Sequence, residues 1–130
     1  MLILTIRTDK PEAEVGLYDN EKKLNYITWL AHRELSSTIH IKIKQILEQN
    51  AKELKDLEGI AVFKGPGSFT GLRIGISVAN ALSYALKIPI VSEEGKSWIS
   101  KGVKDLNNGK NDKIALAEYG ALPNITKPRK

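Results

Sequence analysis

Residues Lys64 to Gly75 read Lys-Gly-Pro-Gly-Ser-Phe-Thr-Gly-Leu-Arg-Ile-Gly, and they constrain the fold more than any other stretch. A short apolar run, Gly59 to Phe63, leads into them, and an almost uncharged segment, Leu72 to Leu86, leads out. That pattern predicts a strand, a tight turn and a helix. Gly65 and Gly67 give the turn backbone freedom, Pro66 stiffens it, and Ser68 and Thr70 are placed to cap the helix.

The elements on either side follow from periodicity. Leu2 to Ile6 reads as a buried first strand, Ala13 to Tyr18 as a second, and the alternation of Leu24, Tyr26, Thr28 and Leu30 as a third. A helix is predicted from Ser36 or Ser37 to about Asn50, with Ile39, Ile43, Ile46 and Leu47 on one face. Ile88 to Val91 is a fifth strand. A third helix is predicted from Glu93 to about Leu106, capped by Ser92, although Gly95 and Gly102 both weaken it. The order β-β-β-α-β-α-β-α implies an α/β domain with a mixed five-stranded sheet, antiparallel first and then parallel with crossover helices. Residues 107–130 read as a loop, a short strand-like run at Ile114 to Ala117 and a basic tail.

Composition narrows the function classes. The 130-residue chain has no cysteine, which excludes disulfides, thiolate metal sites and a cysteine nucleophile, and suits a cytoplasmic protein. No apolar segment is long enough to span a membrane. A net charge of +5 is compatible with nucleic acid without being diagnostic of it. If His32 and His40 shared one helix they would stand two turns apart, about 12 Å by helix rise, too far for a common metal.

The glycine turn invites an anion at the following helix N-terminus. However, no Lys-Ser/Thr pair follows the last glycine, as a phosphate loop requires, and no third glycine completes a dinucleotide fingerprint. A structural strand-to-helix turn that lets the helix approach closely is the favoured reading of the glycines. Ser68 has no visible base, so capping is its simpler role.

The second helix is more informative. Arg73 is its only formal charge between Leu72 and Leu86. Gly71, Gly75, Ala79 and Ser83 recur every fourth residue and form a small-residue stripe that admits a close neighbour. A helix with so little polar face is buried on most sides. A domain of this size has little material to surround it, so a second protein chain is the favoured cover.

With those residues in view, Gly65-Pro66-Gly67-Ser68-Phe69-Thr70-Gly71-Leu72-Arg73-Ile74-Gly75-Ile76 resembles the signature of the TsaB (YeaZ) family of tRNA threonylcarbamoyladenosine (t6A) biosynthesis. The likeness covers about Met1 to Leu106. It implies one RNase H-like (ASKHA) domain over 1–106, with the second domain of that fold absent from 107–130. It also implies a non-catalytic partner of a TsaD-type subunit, which carries the metal and transfers the threonylcarbamoyl group to adenosine 37 of tRNA. A TsaE-type ATPase joins the complex, tRNA is met indirectly through it, and homodimers form in isolation. The implied interface comprises Ile39 and Ile43 with Gly71, Arg73, Gly75, Ala79 and Ser83. Gly65, Pro66, Gly67, Ser68 and Thr70 would form the loop beside the partner or an anion contact. On this reading Gly75→Leu breaks association and leaves the monomer folded. No cofactor is expected on the chain alone, and ATP or ADP at the complex interface is left open.

Departures from the family pattern bear on activity. An aspartate usual at the end of the first strand is here Arg7, and a histidine usual near the first helix is Leu35. Nucleotide hydrolysis is therefore not expected. The rival readings are a nucleotide- or phosphate-binding module, a peptidase, and an RNA-binding role for Lys127 to Lys130.

Overall fold

A computed structural model describes residues 1–67 and 69–118. Its strands are β1 (Leu2–Arg7), β2 (Glu12–Asp19), β3 (Lys22–Leu30), β4 (Gly59–Phe63) and β5 (Ile90–Glu93), and its helices are α1 (Leu35–Glu48), α2 (Phe69–Leu86) and α3 (Trp98–Asn107). They build one five-stranded sheet in the order β3-β2-β1-β4-β5. The first three strands form the antiparallel meander, with Leu4 opposite Leu17 and Val15 opposite Ile27. The parallel half follows, with Leu4 beside Ile60 and Ile60 beside Ile90.

The pleat sends alternate residues to opposite faces. Leu4, Ile6, Val15, Leu17, Ile60 and Val62 share a core cluster with Ile39, Ile43 and Ile46 of α1 and Ile76 and Ala79 of α2. On that face α1 lies over β2 and β3, and α2 over β1 and β4. The other face carries Ile3, Ala61, Phe63 and Val91, packed on Trp98, Val103 and Leu106 of α3. The three stripe isoleucines of α1 are no more than 3% exposed, and each contributes about 1.5–3 kcal/mol by leaving water. The predicted layers are therefore present, and the first helix begins one residue earlier than Ser36, after a single 3-10 turn at His32–Glu34.

Two elements differ from the sequence reading. The third helix starts at Trp98 rather than Glu93, and Ser92 caps nothing. Ser92 and Glu93 instead extend β5 and pair with Val62 and Phe63. Gly95, at φ +87°, then turns the chain, a conformation that a continuing helix could not accommodate. The run Ile114 to Ala117 is not a strand. It belongs to a strap over residues 110–118 that rounds the edge of the sheet. Asp112 N–H donates to Ile90 O at 2.8 Å on β5. Ala115 N–H then donates to Asn80 Oδ1 at 2.8 Å, while Asn80 Nδ2 donates to Ala115 O at 3.1 Å. Glu118 N–H finally reaches Lys64 O at 2.6 Å, beside the glycine turn. The basic tail lies outside the described residues.

Candidate interaction site around the glycine turn

The carboxyl ends of β1 and β4 meet at the turn, where ligands bind in open α/β sheets. Arg7 ends β1 and does not face an incoming anion. Its Nε donates to Asp9 Oδ1 at 2.8 Å and its Nη2 to Asp9 Oδ2 at 3.2 Å. Its guanidinium lies 4.0 Å from the centroid of the Phe63 ring, which meets Trp98 edge-on at 5.6 Å. The hydrogen bond to Asp9 raises the Arg7 pKa and keeps the group charged. Beside it, the Tyr26 hydroxyl donates to Glu14 Oε1 at 2.5 Å. Burial, followed by that bond, pushes the Tyr26 phenol well above its ordinary range.

Gly67 closes over Asp9. A Cβ at Gly67 would stand 2.5 Å from the Asp9 Cβ, so only glycine lets the turn lie there. The Gly65–Pro66 peptide is cis, Gly65 is buried, and Pro66 and Gly67 are exposed. Ser68 lies outside the described residues, so neither its capping role nor its place in the loop is described. Thr70 is not a cap but an exposed residue inside α2. The fold class implies a metal-bound nucleotide at this crevice, and the residues present do not fit one. The Asp9 side chain is only 7% exposed and already neutralised by Arg7. No group of three or more His, Cys, Asp or Glu residues that could hold a metal occurs among the described residues.

The small-residue stripe of α2 faces inward, which corrects its reading as a docking strip. Thr8 is buried, and its hydroxyl donates to Gly71 O at 2.7 Å, fastening the first turn of α2 to the end of β1. A Cβ on Gly75 would overlap Thr8 Oγ1 and stand 2.9 Å from Thr8 Cγ2. Ala79 is fully buried in the core, and Ser83 Oγ donates to Ile88 O at 2.6 Å. Ile39 and Ile43 likewise point into the core. The stripe therefore serves close packing of α2 on its own sheet. Of the predicted interface, Arg73 is exposed and Gly71 half-exposed at the rim of a crevice, and Arg73 makes no ion pair among the described residues.

The outward side of α2 carries Arg73, Ser77, Ala81, Tyr84 and Ala85, with Ile74, Val78 and Leu82 half-exposed along its margin. Tyr84 is 88% exposed. Alongside, α1 presents His40, Ile41 and Lys44, and Ile41 is 61% exposed. A groove of about 480 Å³ lies between α1 and residues 52–55, lined by Ile43 and Leu47 with the charged Lys44 and Glu48, and Leu82 is its one contribution from α2. A wider crevice of about 930 Å³ opens where Leu30, Arg33 and Leu35 meet Thr70, Gly71 and Ile74. No helix among the described residues is long and apolar enough to cross a membrane.

Residues 29–94, half of the chain and spanning both helices and the glycine turn, match the family model described as TsaD: tRNA N6-adenosine threonylcarbamoyltransferase. The tRNA threonylcarbamoyladenosine biosynthesis protein TsaB of Buchnera aphidicola subsp. Acyrthosiphon pisum is 42% identical over 94 residues, covering 70% of this chain and 41% of that protein. The TsaB of Buchnera aphidicola subsp. Schizaphis graminum is 35% identical over 126 residues, covering 92% and 59%. The chain belongs to the TsaB (YeaZ) family. The solved YeaZ from Pseudomonas aeruginosa superposes with a TM-score of 0.67 at 26% identity, over 72% of this chain and 43% of that one. The chain thus spans about half the length of these relatives. The expected element order and mixed five-stranded sheet agree with this fold.

Proposed function

We propose that this chain is a non-catalytic scaffold subunit in t6A formation, and that its α1–α2 layer binds a TsaD-type catalytic subunit. One observation carries the reading: α2 turns to solvent a face of Ser77, Ala81, Tyr84 and Ala85, with Arg73 as its only charge. Solvated helices ordinarily show a charged outer face. At 18 residues α2 is about 27 Å long.

The chemistry of the sheet end supports a non-catalytic role. Arg7 and Asp9 neutralise each other where an acid would be needed, and Gly67 covers Asp9. The TsaB relatives are named for t6A biosynthesis, and the match to the TsaD model makes a paired, related subunit a natural partner. The residue 1–106 unit would be the part that holds this partner. A TsaE-type ATPase, indirect contact with tRNA, and self-pairing of free copies follow from the family resemblance alone.

The test is co-purification with a TsaD-type subunit from the source organism, followed by measurement of t6A formed on tRNA. Ala81→Arg places a charge in the centre of the outer face. It should weaken the heterodimer about a hundredfold, enough to lose it in co-purification, while circular dichroism and the melting temperature stay close to those of the wild type. Retention of the complex by that variant would reject the interface. Tight calorimetric binding of ATP by the isolated chain would favour the nucleotide-module reading instead.

A further inference from the structure

The carboxyl end of β5 holds a buried acid that the proposed docking face does not use. Glu93 pairs with Phe63 in the sheet and is 8% exposed. Its Oε2 is buried and has no hydrogen-bond partner among the described residues. The helix above it sits close, since a Cβ built on Gly102 would stand 3.5 Å from Glu93 Cγ. The charged groups facing this carboxyl are Asp105 and Lys101 on α3 and Lys110 at the start of the strap. From the β4 side, Lys64 presents its main-chain N–H, which donates to Glu93 O at 2.9 Å.

These groups close a ring. Lys110 Nζ lies 3.7 Å from Asp105 Oδ2 and 3.9 Å from Asp112 Oδ1. Asp112 Oδ2 accepts the Ser92 N–H at 3.0 Å, and Asn111 Oδ1 accepts the Ile90 N–H at 3.1 Å, so the strap is laced to β5. The ring returns to its start through the two carboxyls, Glu93 and Asp105. Two facing carboxylates, one of them buried, repel each other, whereas one proton between them satisfies both.

We propose that Glu93 is a protonation latch: holding its proton, it donates to Asp105 and keeps the end of α3 and the strap closed on β5, and on ionising it lets them open. The strap runs on to Asn80 of α2 and to Lys64 at the glycine turn, so opening is transmitted to both. Burial first, and the bond to Asp105 second, raise the Glu93 pKa to about 7. The same bond holds Asp105 below its ordinary value. The native state then keeps a proton that the unfolded chain has lost. The stabilisation is therefore complete below the ordinary glutamate value of 4.5 and falls away as pH rises through about 7.

Hydrogen exchange of the intact chain, corrected for intrinsic rates, tests this between about pH 5.5 and about pH 8.5. In the wild type, amides of 102–118 should lose on the order of tenfold protection across that range relative to β1. In Glu93→Gln, which retains a donor at every pH, protection should stay at its low-pH level. Equal pH dependence in wild type and variant, or none in the wild type, would overturn the latch. If Glu93→Gln fails to fold, a carbon-13 titration of the wild-type Glu93 carboxyl decides. A midpoint that coincides with the loss of protection over 102–118 upholds the latch, and one that lies apart from it rejects it.

Discussion

The two sides of α2 are built from similar residues and do different things. Gly71, Gly75, Ala79 and Ser83 look inward, and Ser77, Ala81, Tyr84 and Ala85 look outward. Apart from Tyr84 both sets are small, and neither carries a charge. The inner set is fully used within the chain, through Thr8 on Gly71 and Gly75 and through Ser83 on Ile88. The outer set is exposed to solvent. A stripe of small residues therefore marks where something comes close, but not whether that something belongs to the same chain. An outward face without charge is the better sign of a partner, because nothing in the chain's own fold requires it.

Perturbing each side separately breaks or sharpens this contrast. The largest loss is expected beneath the helix layer, where Ile39→Ala should lower unfolding free energy by about 2–5 kcal/mol in urea titrations. Gly75→Leu should follow at about 3 kcal/mol, because the new side chain drives α2 away from Thr8. A Gly75→Leu protein of native stability that has lost only its partner would restore the docking reading of the inner stripe. Ala81→Arg should weaken partner binding about a hundredfold by calorimetry, with stability changed by no more than about 0.5 kcal/mol. Smallest is Thr8→Val, which keeps the shape and removes the bond to Gly71 O. It should cost about 1 kcal/mol of stability and leave partner affinity near that of the wild type.

Much of the fold was legible in the residues. The alternation in β2 and β3, the apolar runs of β1 and β4 and the isoleucine stripe of α1 are local patterns, and the helix layer follows from them. Arg7 was legible as a loss of acidity at the sheet end only against the pattern of the family the chain resembles. Its pairing with Asp9 was not, because a two-residue spacing across a turn specifies no rotamer. Glu93 was misread as the start of a helix. Its apolar context, Ile-Pro-Ile-Val, is as compatible with a strand ending at 91 as at 93, and pairing with Val62 and Phe63 decided it. The strap left almost no signal, since its main-chain hydrogen bonds go to a side-chain amide and to isolated carbonyls rather than to a ladder.

For the glycine turn and its helix, the sequence alone determined that a strand gives way to a tight turn and then to a helix of low charge. Those features depend on neighbouring backbone preferences and on periodicity along a few turns. Tertiary structure alone decided which side of that helix meets the sheet. The choice rests on contacts such as Thr8 with Gly71, 63 residues apart in the chain. The small-residue spacing could not supply it, because it marks where another backbone can approach and not which chain that backbone belongs to; Leu72 and Ile76, both buried, lie on the sheet side.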